Sequence, residues 1–245
     1  MAKIILEAPV FTIEAAIQAA EFGVDRLELC SDLGEGGETP SPGALQFLKS
    51  KIDIPIFVMI RPRGGDFVYS SDELEVMKMD ISMFNSLGAD GFVFGVLNSA
   101  GNVNKEACRF LVEAASGKPC TFHRAFDICA DPIQAVEDII SCGFSRILSS
   151  GNKNSVSEGM NELLHLLELY GNKIIIMPGG GLLTDHLPVL KGNANLQEVH
   201  ASCKAFRPTK SEYFHPEVKL SNDPLSFQQV ITISEEVVKS FQKYL

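Results

Sequence analysis

Lys173-Ile174-Ile175-Ile176-Met177-Pro178-Gly179-Gly180-Gly181-Leu182-Leu183 is the stretch on which the fold turns. Three consecutive isoleucines fit a strand buried on both faces, as in a parallel sheet, because a half-exposed strand alternates apolar with polar residues. The run passes through Met177-Pro178 into three glycines, after which helical character resumes. Glycines between the carboxyl end of a strand and a helix let backbone N–H groups converge on an anion at the helix N-terminus. A plain tight turn accounts for an isolated glycine triplet equally well, and position in the chain is what favours the anion here.

Strand and helix signals alternate on both sides of this stretch. Strands are predicted over Ile4–Glu7, Arg26–Cys30, Ile56–Ile60, Phe92–Phe94, Cys120–Phe122, Arg146–Ser149, Lys173–Met177 and Gln197–His200, eight in all. Thr12 caps a helix to Phe22 with Gly23 past its end, and Ser41-Pro42 supplies a cap and a first-turn proline. Ser70-Ser71-Asp72-Glu73 forms a capping box for a helix to Leu87. Asp131-Pro132 and Ser155-x-x-Glu158 start two more helices, and the last helix is predicted over Phe227–Tyr244.

A repeat runs beneath this alternation. Phe22-Gly23-Val24-Asp25-Arg26, Leu87-Gly88-Ala89-Asp90-Gly91 and Cys142-Gly143-Phe144-Ser145-Arg146 each close a helix and open strand two, four or six. Strands three and five are entered through Pro55 and Pro119 instead. A repeated βαβα quarter gives eight βα units, and right-handed crossovers close them into a barrel. The fold class is therefore α/β, a single (β/α)8 TIM barrel over residues 1–245, with an open doubly wound sheet as the alternative. A long polar loop at about 201–226, with Tyr213, Phe214 and three prolines, separates the eighth strand from the last helix. Such a loop is a lid, a subunit contact or a surface excursion.

Composition narrows the function classes. The 245 residues are 45% hydrophobic and carry a net charge of −10, which disfavours nucleic acid and anionic membrane surfaces as partners. No apolar run has the length of a membrane span, and the N-terminus lacks a signal-peptide pattern. The six cysteines form no CxxC pair and match no zinc module. Reduced thiols in a cytoplasmic protein are the expectation.

Side-chain alternation then assigns the barrel interior. In Arg26-Leu27-Glu28-Leu29-Cys30 the leucines face the helices, so Arg26, Glu28 and Cys30 face the axis, with Cys30 nearest the mouth. The same phasing puts Glu7, Arg61, His123, Glu198 and His200 at or near the carboxyl ends of their strands. Charges in a barrel interior cost several kcal/mol each unless paired. An Arg26–Glu28 or Arg26–Glu7 pair serves structure alone, but so many polar groups together indicate a site. Glu7, Glu28, His123 and His200 are candidate catalytic acids and bases. Arg61, Arg63, Arg124, Gly179, Gly180 and Gly181 are the candidate anion-binding residues.

These residues together resemble the CutC family of (β/α)8 barrels. The likeness rests on Leu27-Glu28-Leu29-Cys30-Ser31, Glu35-Gly36-Gly37-x-Thr39-Pro40-Ser41 and Met59-Ile60-Arg61-Pro62-Arg63-Gly64-Gly65-Asp66-Phe67. Phe94-Gly95-Val96-Leu97, Phe122-His123-Arg124-Ala125-Phe126-Asp127, Met177-Pro178-Gly179-Gly180-Gly181 and Glu198-Val199-His200 continue it in order, to about residue 203. The resemblance implies a cytoplasmic copper-homeostasis protein, copper binding as in some members of the family, and homo-oligomers of dimer size or higher. Cys30 is the candidate Cu(I) ligand, with Met59 or Met177 as neighbours, since Cu(I) prefers thiolate and thioether donors. One cysteine makes a weak Cu(I) site unless two subunits share it, and Cys120 has the parity of a helix-facing residue. The residues themselves fit a second hypothesis better: an enzyme or binder of a small phosphorylated or carboxylated substrate. No lysine ends a strand for Schiff-base chemistry, and any cofactor other than copper stays open.

Overall fold

The computed structural model describes residues 3–218 and 227–245. Eight strands alternate with helices: β1 (Ile5–Val10), α1 (Ile13–Phe22), β2 (Arg26–Leu29), α2 (Pro42–Lys49), β3 (Ile56–Met59), α3 (Ser71–Ser86), β4 (Gly91–Phe94) and α4 (Lys105–Ala114) form the first half. β5 (Cys120–Phe122), α5 (Pro132–Ser141), β6 (Arg146–Ser149), α6 (Val156–Tyr170), β7 (Ile175–Pro178), α7 (Leu187–Leu190) and β8 (Glu198–His200) form the second. Every ladder between neighbours is parallel, in the order β7-β6-β5-β4-β3-β2-β1-β8, and β7 lies against β8. The sheet is thus a nearly closed (β/α)8 barrel, the architecture the alternation predicts. No described helix is long and apolar enough to cross a membrane.

The helix boundaries follow the capping chemistry. Thr12, Ser41, Ser70, Asp131 and Ser155 each accept a backbone N–H of the first turn, and Ser70 with Glu73 completes a reciprocal box. The repeated Gly23, Gly88 and Gly143 have φ of 97°, 87° and 90°, a left-handed turn that ends each helix and aims the chain at β2, β4 or β6. Asp25 then accepts the N–H of Leu6, and Asp90 that of Ile56, so the first two repeats stitch their strands to the neighbour before them.

Three parts depart from expectation. β1 continues three residues past the predicted end, which puts Glu7 in mid-strand rather than at the rim. The segment after β8 is not all loop: β9 (Lys204–Pro208) pairs antiparallel with β10 (Gln229–Ile233). Gln229–Ile233 was expected as helix, but its Val-Ile-Thr-Ile run favours an extended chain. Ser234 caps the last helix, α8 (Glu235–Tyr244), which starts eight residues later than predicted. The rest of the expected 201–226 loop from residue 219 lies outside the described residues.

Two cores result. Leu27, Leu29, Val58, Phe92, Phe122 and Ile176 pack between strands and helices, as the alternation requires. Inside the barrel a smaller cluster gathers Cys30, Phe57, Met59 and Val93. Gly91 belongs to the interior by necessity, since a Cβ there would lie 2.6 Å from the Phe57 ring.

Candidate active site

The site is built on a buried ionic lattice. Arg26 donates to Glu7 and to Glu198, and Arg146 donates to Glu198 at 3.0 Å. The Phe57 ring is sandwiched between the two guanidiniums, 4.7 Å from one and 4.8 Å from the other. Two cations therefore meet two carboxylates out of water, and every charge has a partner. The structural pairing is Arg26 with Glu7 and Glu198, not with Glu28. Met177 is part of this layer, its sulfur 3.5 Å from Arg26 Nη2, whereas Met59 packs with Cys30.

Glu7 links the lattice to the mouth. Burial works to raise its carboxyl, but Arg26 and the bond to His200 outweigh that and hold it down at about 2. Its Oε1 lies 2.9 Å from His200 Nδ1. An ionised carboxylate only accepts, so the His200 proton sits on Nδ1 and Nε2 faces away, towards Glu28 Oε2 at 4.0 Å. Glu28 is also buried, and burial together with the Glu7 charge pushes its carboxyl up to about 7. Its Oε1 has no hydrogen-bond partner. Burial lowers the His200 imidazole, yet the hydrogen bond to Glu7 and the Glu28 charge leave it raised overall.

The opposite side of the mouth collects donors. Arg61, at 6% exposure, spends its terminal nitrogens on the carbonyls of Glu35, Gly37 and Gly65, and its Nε has no partner. Among the described residues no carboxylate pairs with it. His123 Nδ1 accepts the Ala125 N–H at 3.3 Å, so the neutral ring carries its proton on Nε2, which is buried and unpartnered. Burial, then the Arg61 charge, depress the imidazole to about 3. A ring that stays neutral is a hydrogen-bond donor here rather than the proton carrier its strand-end position suggests. Phe67 lies edge-on to it at 4.7 Å and under Arg61 at 4.9 Å.

Asp127 organises the β5–β6 corner. It accepts from Arg124 Nε at 2.8 Å, from both serines of Ser149-Ser150 and from the Asn152 N–H. Arg124 is thereby laid against Gly180, where a Cβ would come 2.9 Å from Cζ. Gly180 and Gly181 have φ of 90° and 73° and line the mouth. No acceptor among the described residues takes the N–H of either glycine.

Glu28, Arg61, His123, Arg124, Gly180, Gly181 and His200 thus line one cavity of about 360 Å³, walled on its apolar side by Phe11, Leu33, Met59 and Leu148. Glu7 stands behind it through His200. Two predicted anion residues are not there. Arg63 turns outward to Glu73 and Asp66, because its flexible loop carries nearer acids. Gly179 donates its N–H to Ser149 and is a packing residue, its missing Cβ leaving room for Leu148 and His200. The glycines also feed a short 3-10 segment, Thr184–His186, and a four-residue helix, so no long helix presents its N-terminus behind them.

Cys30 is buried near the mouth, its Sγ 3.5 Å from Glu28 Oε2. A Cβ on Gly37, itself in the cavity wall, would be 3.4 Å from both Cys30 Sγ and Met59 Cε. Burial and then the Glu28 charge push this thiol well above its ordinary range. The other five cysteines belong to or pack against the strand–helix core, so none adds a second thiolate. One thiol and one thioether in this chain do not complete a tight Cu(I) site. Sequence alone missed the hairpin: Lys204, Ile231, Thr232 and Ile233 line the cavity. The β-branched run Val230-Ile231-Thr232-Ile233 was the available signal.

Comparison with known proteins follows the same outline. The model of the CutC family matches residues 4–205. The human protein named "Copper homeostasis protein cutC homolog" is 43% identical over 216 residues, covering 88% of this chain and 79% of the relative. A family protein CutC of Xylella fastidiosa is 38% identical over 87% of this chain and 80% of its own length. A solved Streptococcus agalactiae structure under the CutC name has a TM-score of 0.75 at 33% identity, covering 82% of this chain and 99% of that one. Phosphoribosylanthranilate isomerase of Thermotoga maritima, at 11% identity and a TM-score of 0.58 over 99% and 98% of the two chains, shares the fold alone.

The protonation of His123 is open to direct measurement. Its imidazole ¹⁵N shifts will show Nδ1 unprotonated and Nε2–H from about pH 8 to 5, with no titration in the window where an ordinary histidine changes charge. A ring titrating near the ordinary histidine value of 6.5 contradicts this assignment.

Proposed function

This chain belongs to the CutC family, which implicates it in copper homeostasis, and from that premise we propose that its mouth binds a small carboxylated or phosphorylated molecule and moves a proton on it. One observation carries this reading. Four buried side-chain polar atoms in the described chain lack a partner, and three of them, on Glu28, Arg61 and His123, belong to residues lining the same cavity. Buried donors and acceptors left unmet cost roughly 1–3 kcal/mol each, more for a charged group. A ligand that meets all three offsets that cost.

The parts have separate tasks. Arg61 supplies positive charge that no acid among the described residues pairs with, and His123 Nε2–H, Arg124 and the N–H groups of Gly180 and Gly181 supply donors for the anionic end. Glu7 keeps the His200 proton on Nδ1, leaving Nε2 and the Glu28 carboxyl to face the reacting end. Glu28 takes or returns the proton, and His200 stabilises the charge that results. The volume of about 360 Å³ suits a metabolite-sized ligand rather than a polymer. A cytoplasmic setting and a homo-oligomeric state belong to the same proposal, supported by six free thiols and by family likeness.

Copper capture is the second reading, favoured by the Cys30 sulfur and Met59 methyl that both lie beside Gly37, a residue of the cavity wall. Since one thiol and one thioether are too few for tight Cu(I) binding, a shared site between two copies is the form this reading takes.

Inorganic phosphate is the first probe. Titrated into the full-length protein, it will shift the amide resonances of Gly180 and Gly181, and Arg61→Met will weaken binding at least about tenfold, the loss of one charge-assisted contact. Unmoved glycine amides at saturating phosphate and pyruvate would sink the anion reading. For copper, Cu(I) titration should find a site that Cys30→Ser removes; retention in that variant excludes Cys30.

A further inference from the structure

We propose that Glu28 and His200 form the protein part of a binding site for a borderline divalent transition-metal ion, with Glu7 as the carboxylate that orients the imidazole. Glu7, Glu28 and His200 each offer an atom within 4.8 Å of the others, all buried. Their arrangement assigns different roles. His200 Nδ1 is committed to Glu7 at 2.9 Å, and Glu7 is itself held by Arg26. Nε2 is the ring nitrogen left for a ligand.

That nitrogen faces Glu28 Oε2 across 4.0 Å. The gap is too long for a hydrogen bond and is somewhat wider than the roughly 3.3 Å between two ligands of a tetrahedral ion with bonds of about 2.0 Å, so a small side-chain rotation closes both groups on one ion. Independent of this distance, Glu28 Oε1 is without a partner in a residue only 4% exposed, on the wall of the cavity. A carboxylate oxygen buried this deeply calls for a cation or a donor, and Arg26, two residues earlier on the same strand, is already shared between Glu7 and Glu198. An ion held by Nε2 and by both oxygens of the Glu28 carboxylate meets both needs.

The donors decide the class of ion. Imidazole nitrogen with carboxylate oxygen suits Zn²⁺ or Cu²⁺, whereas Mg²⁺ and Ca²⁺ take oxygen alone and Cu(I) takes sulfur. A carboxylate bonded to the far nitrogen of a ligating histidine is the usual support for such an ion, fixing its tautomer and ring orientation. Cys30 is not needed: its sulfur neighbours Glu28 but does not join the cluster of mutually close ligand atoms. The remaining coordination positions open into the cavity, towards the donors around Arg61. An anionic ligand would then touch guanidinium at one end and metal at the other. This site shares the cavity of the anion reading, but zinc and phosphate are scored in separate titrations, so either can fail alone.

Full-length protein stripped with EDTA and titrated calorimetrically with zinc chloride will bind one ion per chain. Glu28→Gln and His200→Gln will each weaken it at least about tenfold, while Cys30→Ser changes it less than about threefold. Cobalt(II) in the wild-type protein will give d–d bands without a thiolate charge-transfer band, a readout independent of whether any variant folds. Absence of one-to-one zinc binding, wild-type affinity in folded Glu28→Gln, or a thiolate band with cobalt each overturns the proposal.

Discussion

Arg26 holds the interior together. Its guanidinium reaches Glu7 on β1 and Glu198 on β8, so one side chain from β2 ties three neighbouring strands across the closing region of the barrel. Arg146 completes the lattice from β6, and Phe57 fills the space between the two cations. Barrel interiors are normally filled by branched apolar side chains, and hydrophobic replacement of a paired cluster is often neutral or stabilising. The lattice is better understood through what it positions. Keeping Glu7 ionised out of water fixes the tautomer of His200 and aims its other nitrogen into the mouth.

The mouth has two chemically distinct sides. β1, β2 and β8 supply acids and an imidazole; β3, β5 and the loop after β7 supply a guanidinium, a neutral imidazole and backbone donors. Two histidines at strand ends thereby acquire opposite characters. His200 is raised because two carboxylates face it, despite its burial, while His123 is depressed by burial beside Arg61. Neither outcome depends on residue type, since both are imidazoles; the neighbouring charges decide.

Much of this was legible in the sequence because it rests on local rules. Alternation in Arg26–Cys30 put the charged residues inward and the leucines outward, as found. The glycine repeat marked three helix ends that do turn through positive φ. It also carried an unread signal: Arg26 and Arg146 occupy the same place in their repeats, while Gly91 occupies it in the third. The two arginines sandwich Phe57, and the glycine leaves room for that ring. What could not be read depends on contacts between distant segments. Arg63 resembles Arg61 in sequence but meets Glu73 on α3, and Gly179 resembles Gly180 but packs on His200. β10 was taken for helix because its partner strand lies more than twenty residues earlier, across the loop.

The central claim, that the Arg26–Glu7 pair sets the state of His200, is tested most directly by ¹⁵N NMR of that ring in the wild-type protein and in Glu7→Gln. The account predicts a protonated Nδ1 in the wild type, and in the variant a changed Nδ1 environment with a loss of stability, because Arg26 is left with Glu198 alone, which it shares with Arg146. An identical His200 spectrum with unchanged stability would contradict it.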